Sequence, residues 1–241
     1  MNPFSLAGQT ALVTGANTGI GQAIAVAMAR AGAHVIAAGR SSCAETVVLT
    51  GGEALHLDLS DPMAARDVFA TRTVDILINN AGLIRRADAV DFSEADWDAV
   101  MDVNLKAVFF TCQAFARAAL ARGAGGRIVN IASLLSFQGG IRVPSYTASK
   151  HGVAGITKLL ANEWAARGIN VNAIAPGYIE TNNTEALRAD PDRSRAILDR
   201  IPAGRWGGPE DIAEAAVFLA SPAAGYIHGA ILNVDGGWLA R

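Results

Sequence analysis

Three side chains in one short stretch could manage the proton of a carbonyl/alcohol pair. Tyr146 and Lys150 bound the run Tyr-Thr-Ala-Ser-Lys, and Ser133 stands thirteen positions before the tyrosine. Residues four apart share one face of a helix, so the phenol and the ammonium become neighbours. An ammonium beside a phenol favours the phenolate and draws the tyrosine below its ordinary value near ~10. A tyrosine titrating nearer neutrality can donate or accept a proton at a substrate oxygen, and the Ser133 hydroxyl can hold that same oxygen. Such a pair serves a reaction in which hydride moves at carbon while a proton moves at oxygen. Alone, Tyr-x3-Lys also arises on ordinary helix surfaces, so its meaning rests on what else the chain carries.

A second constellation lies near the amino terminus. A strand-like run ending at Val13 leads into Thr14-Gly15-Ala16-Asn17-Thr18-Gly19-Ile20-Gly21 and then an Ala-rich helical pattern to Ala31. Glycines between a strand and a helix permit a tight turn and close approach of backbone to a pyrophosphate. The helix amino terminus adds N–H groups and a positive dipole. The spacing is G-x3-G-x-G, and a glycine turn without a ligand is the bland alternative. An NAD-preferring unit of this kind places an acid about twenty residues beyond the glycines to hold the ribose 2′-hydroxyl. Here the next strand ends Ala38-Gly39-Arg40-Ser41-Ser42, with Gly39 where that acid would stand. The Arg40 guanidinium suits a 2′-phosphate, which favours NADP, with NAD as the alternative.

Seven apolar runs read as strands: 11–13, 34–38, 54–57, 75–78, 127–131, 170–174 and 230–234. Helical patterns fall between most of them, at 20–31, 62–70, 93–122, 145–167 and 209–220. This alternation predicts an α/β fold, a single-domain Rossmann-type doubly wound parallel sheet of about seven strands with helices on both faces. One dinucleotide-binding and catalytic domain spans 1–241. The pattern 93–122 reads as two helices or one bent helix, interrupted at Asn104. The least regular stretch, 176–208, follows the sixth strand on the side where such sheets bind ligands; it reads as a substrate lid or a long connection.

Composition excludes several alternatives. The net charge of −2 and the absence of a basic stretch give no nucleic-acid signal. No apolar run is long enough to span a bilayer, and the start Met1-Asn2-Pro3-Phe4-Ser5 lacks the pattern of a secretory signal. Two isolated cysteines, Cys43 and Cys112, suit a reducing compartment, hence the cytoplasm. The four histidines show no metal-ligand spacing, so no metal is expected.

The two constellations, together with Asn79-Asn80-Ala81-Gly82, Asn104 and Pro176-Gly177, resemble the short-chain dehydrogenase/reductase family over essentially the whole chain. The resemblance implies a catalytic tetrad of Asn104, Ser133, Tyr146 and Lys150. In it Tyr146 is the general acid/base, Ser133 orients the substrate oxygen, and Lys150 binds the nicotinamide ribose and lowers the tyrosine. Asn104 holds a water of a proton relay. It also implies cofactor contacts from Gly15, Asn17, Thr18, Gly19, Ile20, Gly21, Arg40, Asp58, Leu59, Asn80, Ala81, Gly82, Tyr146, Lys150, Pro176, Gly177, Ile179 and Thr181, with Asp58 on the adenine. Family members pair equivalent helices across dimer axes, so the resemblance implies a homotetramer built on the Ala-rich faces 108–120 and 153–164.

Segments at 79–86, 135–146, 175–184, 201–206 and 234–241 look like those of family members acting on keto-deoxy sugar acids of the 2-deoxy-D-gluconate or 2-dehydro-3-deoxy-D-gluconate type. A small-molecule sugar acid needs a cation for its carboxylate, and Arg is the best-shaped donor. Arg142, four residues before Tyr146, is the first choice, followed by Arg86 and Arg205. Arg85 is a further cation of the same turn, although solvated surface charge is the commoner fate of Arg. Ser133 and Tyr146 would hold the reacting oxygen, with Gln138, Asn182 and Asn183 as hydroxyl partners. The alternatives are a 3-oxoacyl thioester reductase, which the Arg-rich segments disfavour, and a non-catalytic dinucleotide sensor, which would not need Tyr146 and Lys150.

Overall fold

Short runs of apolar residues flanked by turns become strands when both faces of a sheet are covered. In the computed structural model, which describes residues 2–241, these are β1 (Thr10–Thr14), β2 (His34–Gly39), β3 (Glu53–His56), β4 (Ile76–Asn79), β5 (Gly126–Ile131), β6 (Ile169–Pro176) and β7 (Ile231–Val234). All pair in parallel in the order β3-β2-β1-β4-β5-β6-β7. The order reverses direction between β1 and β4, which opens a crevice at their carboxyl ends, where open α/β sheets bind ligands.

Alternation along each strand sends neighbours to opposite layers. Val13 and Ile78 pack under α1 (Gly19–Arg30) and α9 (Pro209–Ala220), with Ile24, Met28 and Ile212. Leu12 and Leu77 face the other layer, with Phe69 of α3 (Arg66–Thr71) and Phe115 of α5 (Ala107–Ala121). There the two phenylalanine rings meet edge to face with centroids 5.9 Å apart. Each large apolar side chain fully buried in these layers contributes roughly 1.5–3 kcal/mol, so the sheet is the rigid part on which the loops are mounted.

The pattern at 93–122 resolves into α4 (Glu94–Met101), a π-helical turn at Asp102–Lys106 and α5. The helix at 62–70 is shorter than its pattern and begins at Arg66. The stretch after β2 holds α2 (Ala44–Thr50), which the sequence reading did not anticipate. Its Thr and Val residues weaken helix propensity, and tertiary bonds supply what propensity lacks. The buried Thr46 hydroxyl donates to Ala16 O at 2.7 Å and accepts from Gln22 Nε2 at 3.2 Å. The stretch 176–208 is also more regular than expected. It contains a single 3₁₀ turn (Asn182–Thr184), α7 (Glu185–Arg188) and α8 (Pro191–Leu198). Asp190 caps the last of these, its Oδ1 accepting from the backbone N–H groups of Asp192 and Arg193, both at 3.1 Å, with Pro191 at the first helical position.

Candidate active site

Proline at its first position starts α6 (Pro144–Trp164), the helix that carries Tyr146 and Lys150. Lys150 is only 5% exposed, and its Nζ donates to Ile131 O, at the end of β5, at 2.6 Å. Ser136 Oγ donates to Lys150 O at 2.7 Å, so both the side chain and the backbone of this residue are tied to the turn after β5. Desolvation lowers Lys150 to about 8, leaving it mostly charged at neutral pH. Its Nζ lies 5.5 Å from the centroid of the Tyr146 ring.

Tyr146 departs from the sequence expectation. Burial pushes its phenol above the ordinary value, while a hydrogen bond with Ser133 and the positive charge of Arg86 pull it down. Lys150 is tied to the Ile131 carbonyl on the face of the ring, and burial outweighs the groups that lower the phenol. Ser133 Oγ also accepts from Leu135 N at 3.1 Å, which fixes the hydroxyl at the start of the turn after β5.

The π-helical turn explains how Asn104 reaches this site. One widened turn rotates a residue inward from an otherwise α-helical run. Asn104 is fully buried; its Oδ1 accepts from Leu83 N and its Nδ2 donates to Leu83 O, both at 2.9 Å. Nδ2 also reaches Ser149 Oγ at 3.4 Å, and Ser149 Oγ donates to Tyr146 O at 2.8 Å. The Asn104 side-chain amide therefore ties the turn after β4 to the helix of Tyr146.

At the glycine turn, Gly15 has φ +64° and a Cβ there would come within 2.9 Å of Ala81 Cα. A Cβ on Gly21 would overlap the Gly15 carbonyl oxygen, so α1 can start this close to β1 only with glycine. Thr14 Oγ1 accepts from the backbone N–H groups of Asn80 and Ala81 at 3.0 and 3.1 Å. Asn80 Nδ2 donates to Thr14 O and Gly15 O at 3.0 and 3.1 Å. The Asn80 side chain thus braces the β1 and β4 turns against each other. Thr18 caps α1 with extended backbone and makes no side-chain cap bond, so the first N–H groups of the helix are open to an anion. Ile20 packs against the core below.

One cleft is lined by Gly15, Asn17, Arg40, Asp58, Leu59 and Ala81, with Gly82 beside them. Arg40 is exposed at its rim. Asp58 lies below the ordinary carboxylate range, chiefly because its carboxylate accepts from Ser60 N at 2.9 Å, with a smaller contribution from Arg40. These residues fit a dinucleotide: bare glycine backbone, an open helix terminus and a cation share one crevice. Across it, Gly177 N donates to Val234 O at 3.0 Å, holding the turn after Pro176 to β7. Ile179 is buried and bridges to Gly207, and the Thr181 methyl lies 3.5 Å from where a Cβ of Gly19 would be. The segment after β6 therefore closes directly over the glycine turn.

The expected substrate cations separate. Arg142 has left-handed backbone (φ 63°), is 59% exposed and pairs with Asp88 at 3.0 Å. Arg205 is held by Asp211 through two bonds of 2.7 and 2.8 Å. Arg85 pairs with Asp96 at 3.1 Å. Arg86 alone of these is a source of field at Tyr146, and its Nη2 donates to Asn183 O at 3.4 Å. Asn182 and Asn183 lie in the exposed 3₁₀ turn opposite, and Gln138 is engaged by Trp238. Sequence reasoning missed Thr14, Leu83, Ser136 and Ser149 as supports, since their partners are distant in the chain. Trp238 was noted only as part of a resembling segment. No group of three or more His, Cys, Asp or Glu side chains among the described residues could hold a metal ion.

Residues 15–239 match a family model described as enoyl-(acyl carrier protein) reductase. A 2-dehydro-3-deoxy-D-gluconate 5-dehydrogenase of Dickeya dadantii (strain 3937) is 56% identical over 251 residues, covering 100% of this chain and 99% of that protein. A crystal structure from Agrobacterium tumefaciens, provisionally named a 2-deoxy-D-gluconate 3-dehydrogenase and holding NADP, is 72% identical, with a TM-score of 0.98 and full coverage of both chains. A gluconate 5-dehydrogenase structure from Burkholderia cenocepacia J2315, in complex with NADP and tartrate, is 37% identical, with a TM-score of 0.93, covering 100% of this chain and 98% of that one. The parallel sheet, the braced glycine turn and the convergence of Asn104, Ser133, Tyr146 and Lys150 agree with this match, and the chain belongs to the short-chain dehydrogenase/reductase family.

Proposed function

We propose that the chain is an NADP-dependent dehydrogenase of a keto-deoxy sugar acid of the 2-dehydro-3-deoxy-D-gluconate type, with NAD as the weaker cofactor. The observation that carries this reading is the meeting of an acid–base pair, Tyr146 with Ser133, and a cation, Arg86, around one phenol. NADP, when bound, accepts or donates the hydride. Arg40, with no acid at Gly39, holds the 2′-phosphate at the rim. Gly19, Gly21 and the open start of α1 receive the pyrophosphate, and the segment 176–208 serves as a lid through Ile179 and Thr181. Ser133 orients the substrate oxygen, and Tyr146 takes its proton on oxidation or returns it on reduction. Lys150, with its carbonyl contact at Ile131, binds the nicotinamide ribose and passes the proton outward. The names of the Dickeya and Agrobacterium proteins, and the complex of the Burkholderia gluconate 5-dehydrogenase with NADP and tartrate, support a hydroxy-acid substrate over an acyl thioester.

Two further features belong to the same reading. The Ala-rich outer faces of α5 and α6, with Leu159 47% exposed and Phe109 and Phe110 half-buried, support a homotetramer. No helix among the described residues is long and apolar enough to cross a membrane, and two free, buried cysteines suit the reducing cytoplasm.

Light scattering at micromolar concentration should give a mass near four times 24.9 kDa; a monomer would contradict the assembly. Tyr146→Phe keeps the ring and removes the proton, so kcat should fall about 10²–10⁴-fold with NADP affinity nearly unchanged. Retention of more than a tenth of wild-type kcat would reject Tyr146 as the acid/base. Arg86→Ala should lower kcat/KM for the sugar acid roughly 10-fold or more and affect a neutral polyol analogue much less. Arg142→Ala, whose side chain is committed to Asp88, should be milder; the reverse ranking would return the carboxylate to Arg142.

A further inference from the structure

Beyond β7 the chain does not trail away. Two left-handed glycines, Gly236 and Gly237, reverse it, and the Asp235 carboxylate accepts from Gly237 N and Leu239 N at 2.9 and 3.0 Å. This turn throws Trp238 back into the molecule, where it is 5% exposed and packs in a small cluster with Leu134 and Ile201, separate from the two main core layers. The Tyr178 ring lies 4.8 Å from it, and the Arg200 guanidinium stacks at 4.0 Å from its centroid. Each neighbour marks a different part of the site. Leu134 follows Ser133, Tyr178 follows the Pro176–Gly177 turn, and Arg200 and Ile201 form the carboxyl-terminal foot of the 176–208 segment. One backbone and one side-chain hydrogen bond fasten that foot further: Ala203 N donates to Gly236 O at 3.0 Å, and Arg241 Nη2 to Asp199 O at 2.8 Å.

The indole N–H has one more contact, to Gln138 Oε1 at 3.4 Å. Indole nitrogen can only donate, whereas a glutamine amide can present either its oxygen or its NH₂ group. By claiming the oxygen, Trp238 fixes the flip of the amide and leaves two N–H donors on its free side. Gln138 sits five residues beyond Ser133, in the loop that leads from β5 to the helix of Tyr146. We propose that Trp238 is a positioning residue for the substrate. It anchors the foot of the lid and orients Gln138 as a donor toward an acceptor oxygen of the sugar acid, either carboxylate or ketone. This rests on the reading of the pocket given above, and adds to it that recognition by Gln138 depends on the last turn of the chain.

A double-mutant cycle tests the idea on the intact enzyme. Wild-type turnover of the sugar acid with NADP is established first; its absence would reject the function and leave the positioning role to be read with whichever polyol is turned over. Trp238→Phe keeps the packing and the stack with Arg200 but removes the N–H. It should raise KM for the sugar acid about 3- to 10-fold, as expected for a hydrogen bond made equally in ground and transition states, with kcat and NADP affinity within twofold. Gln138→Leu should raise KM by at least as much. Combining the two should add nothing to Gln138→Leu alone, because the indole acts through the amide. Multiplying effects in the double variant, or an unchanged KM in Trp238→Phe, would overturn the proposal. A Trp238→Phe variant with reduced NADP affinity would also overturn it, showing a general structural role.

Discussion

One hydrogen bond organises the reaction end of this molecule: the buried Lys150 ammonium on the carbonyl of Ile131. Holding a charge there is unfavourable, and the drop of Lys150 from 10.5 to about 8 corresponds to about 3 kcal/mol against the charged form. The sign is that of a depressed base. Below about pH 8 the full penalty is present, and it is relieved as pH rises towards 10.5, where the unfolded chain would also lose its proton. The fold tolerates the penalty because the carbonyl at the end of β5 and the Ser136 bond to Lys150 O leave the residue little freedom to move. With Lys150 fixed, helical spacing sets Tyr146 one turn earlier, within reach of Ser133 and the field of Arg86.

The cofactor end depends on a second set of polar braces. Thr14 and Asn80 cross-link the turns after β1 and β4, and Asn104 links the β4 turn to the helix of Tyr146 through Ser149. The Thr14 hydroxyl, the Asn80 amide nitrogen and the Asn104 amide are each hydrogen-bonded within the protein, where leaving a buried group unpaired would cost about 1–3 kcal/mol. The glycine turn is therefore preorganised by side chains rather than loose, and the crevice at the sheet's reversal point and the acid–base groups form one connected frame. Preorganisation of this kind fixes the distance between the two reacting partners before they arrive.

The sheet and its principal helices were legible because the runs are short, apolar and alternate with 3.6-residue patterns. The end of β2 at Gly39, beside the cleft, was legible because the apolar run stops there. The helix at Ala44–Thr50 was not, since β-branched residues there disguise it and its stability comes from Thr46 on the glycine turn. The direction of the Tyr146 shift was not, because helical spacing reports proximity but not the burial that raises the phenol. The placement of the arginines was likewise hidden. Arg142 stands near Tyr146 in the chain, but its left-handed backbone and the Asp88 pair hold it at the surface, while Arg86 arrives from a distant turn.

The central claim is that Lys150 is a buried ammonium fixed beneath Tyr146. Selective isotope labelling of lysine and an NMR titration of the side-chain amines would test it most directly. The account requires Lys150 to titrate near 8, well below the ordinary 10.5. A Lys150 resonance that titrates at the ordinary 10.5 or higher would mean that burial does not depress the ammonium, and would contradict the buried arrangement.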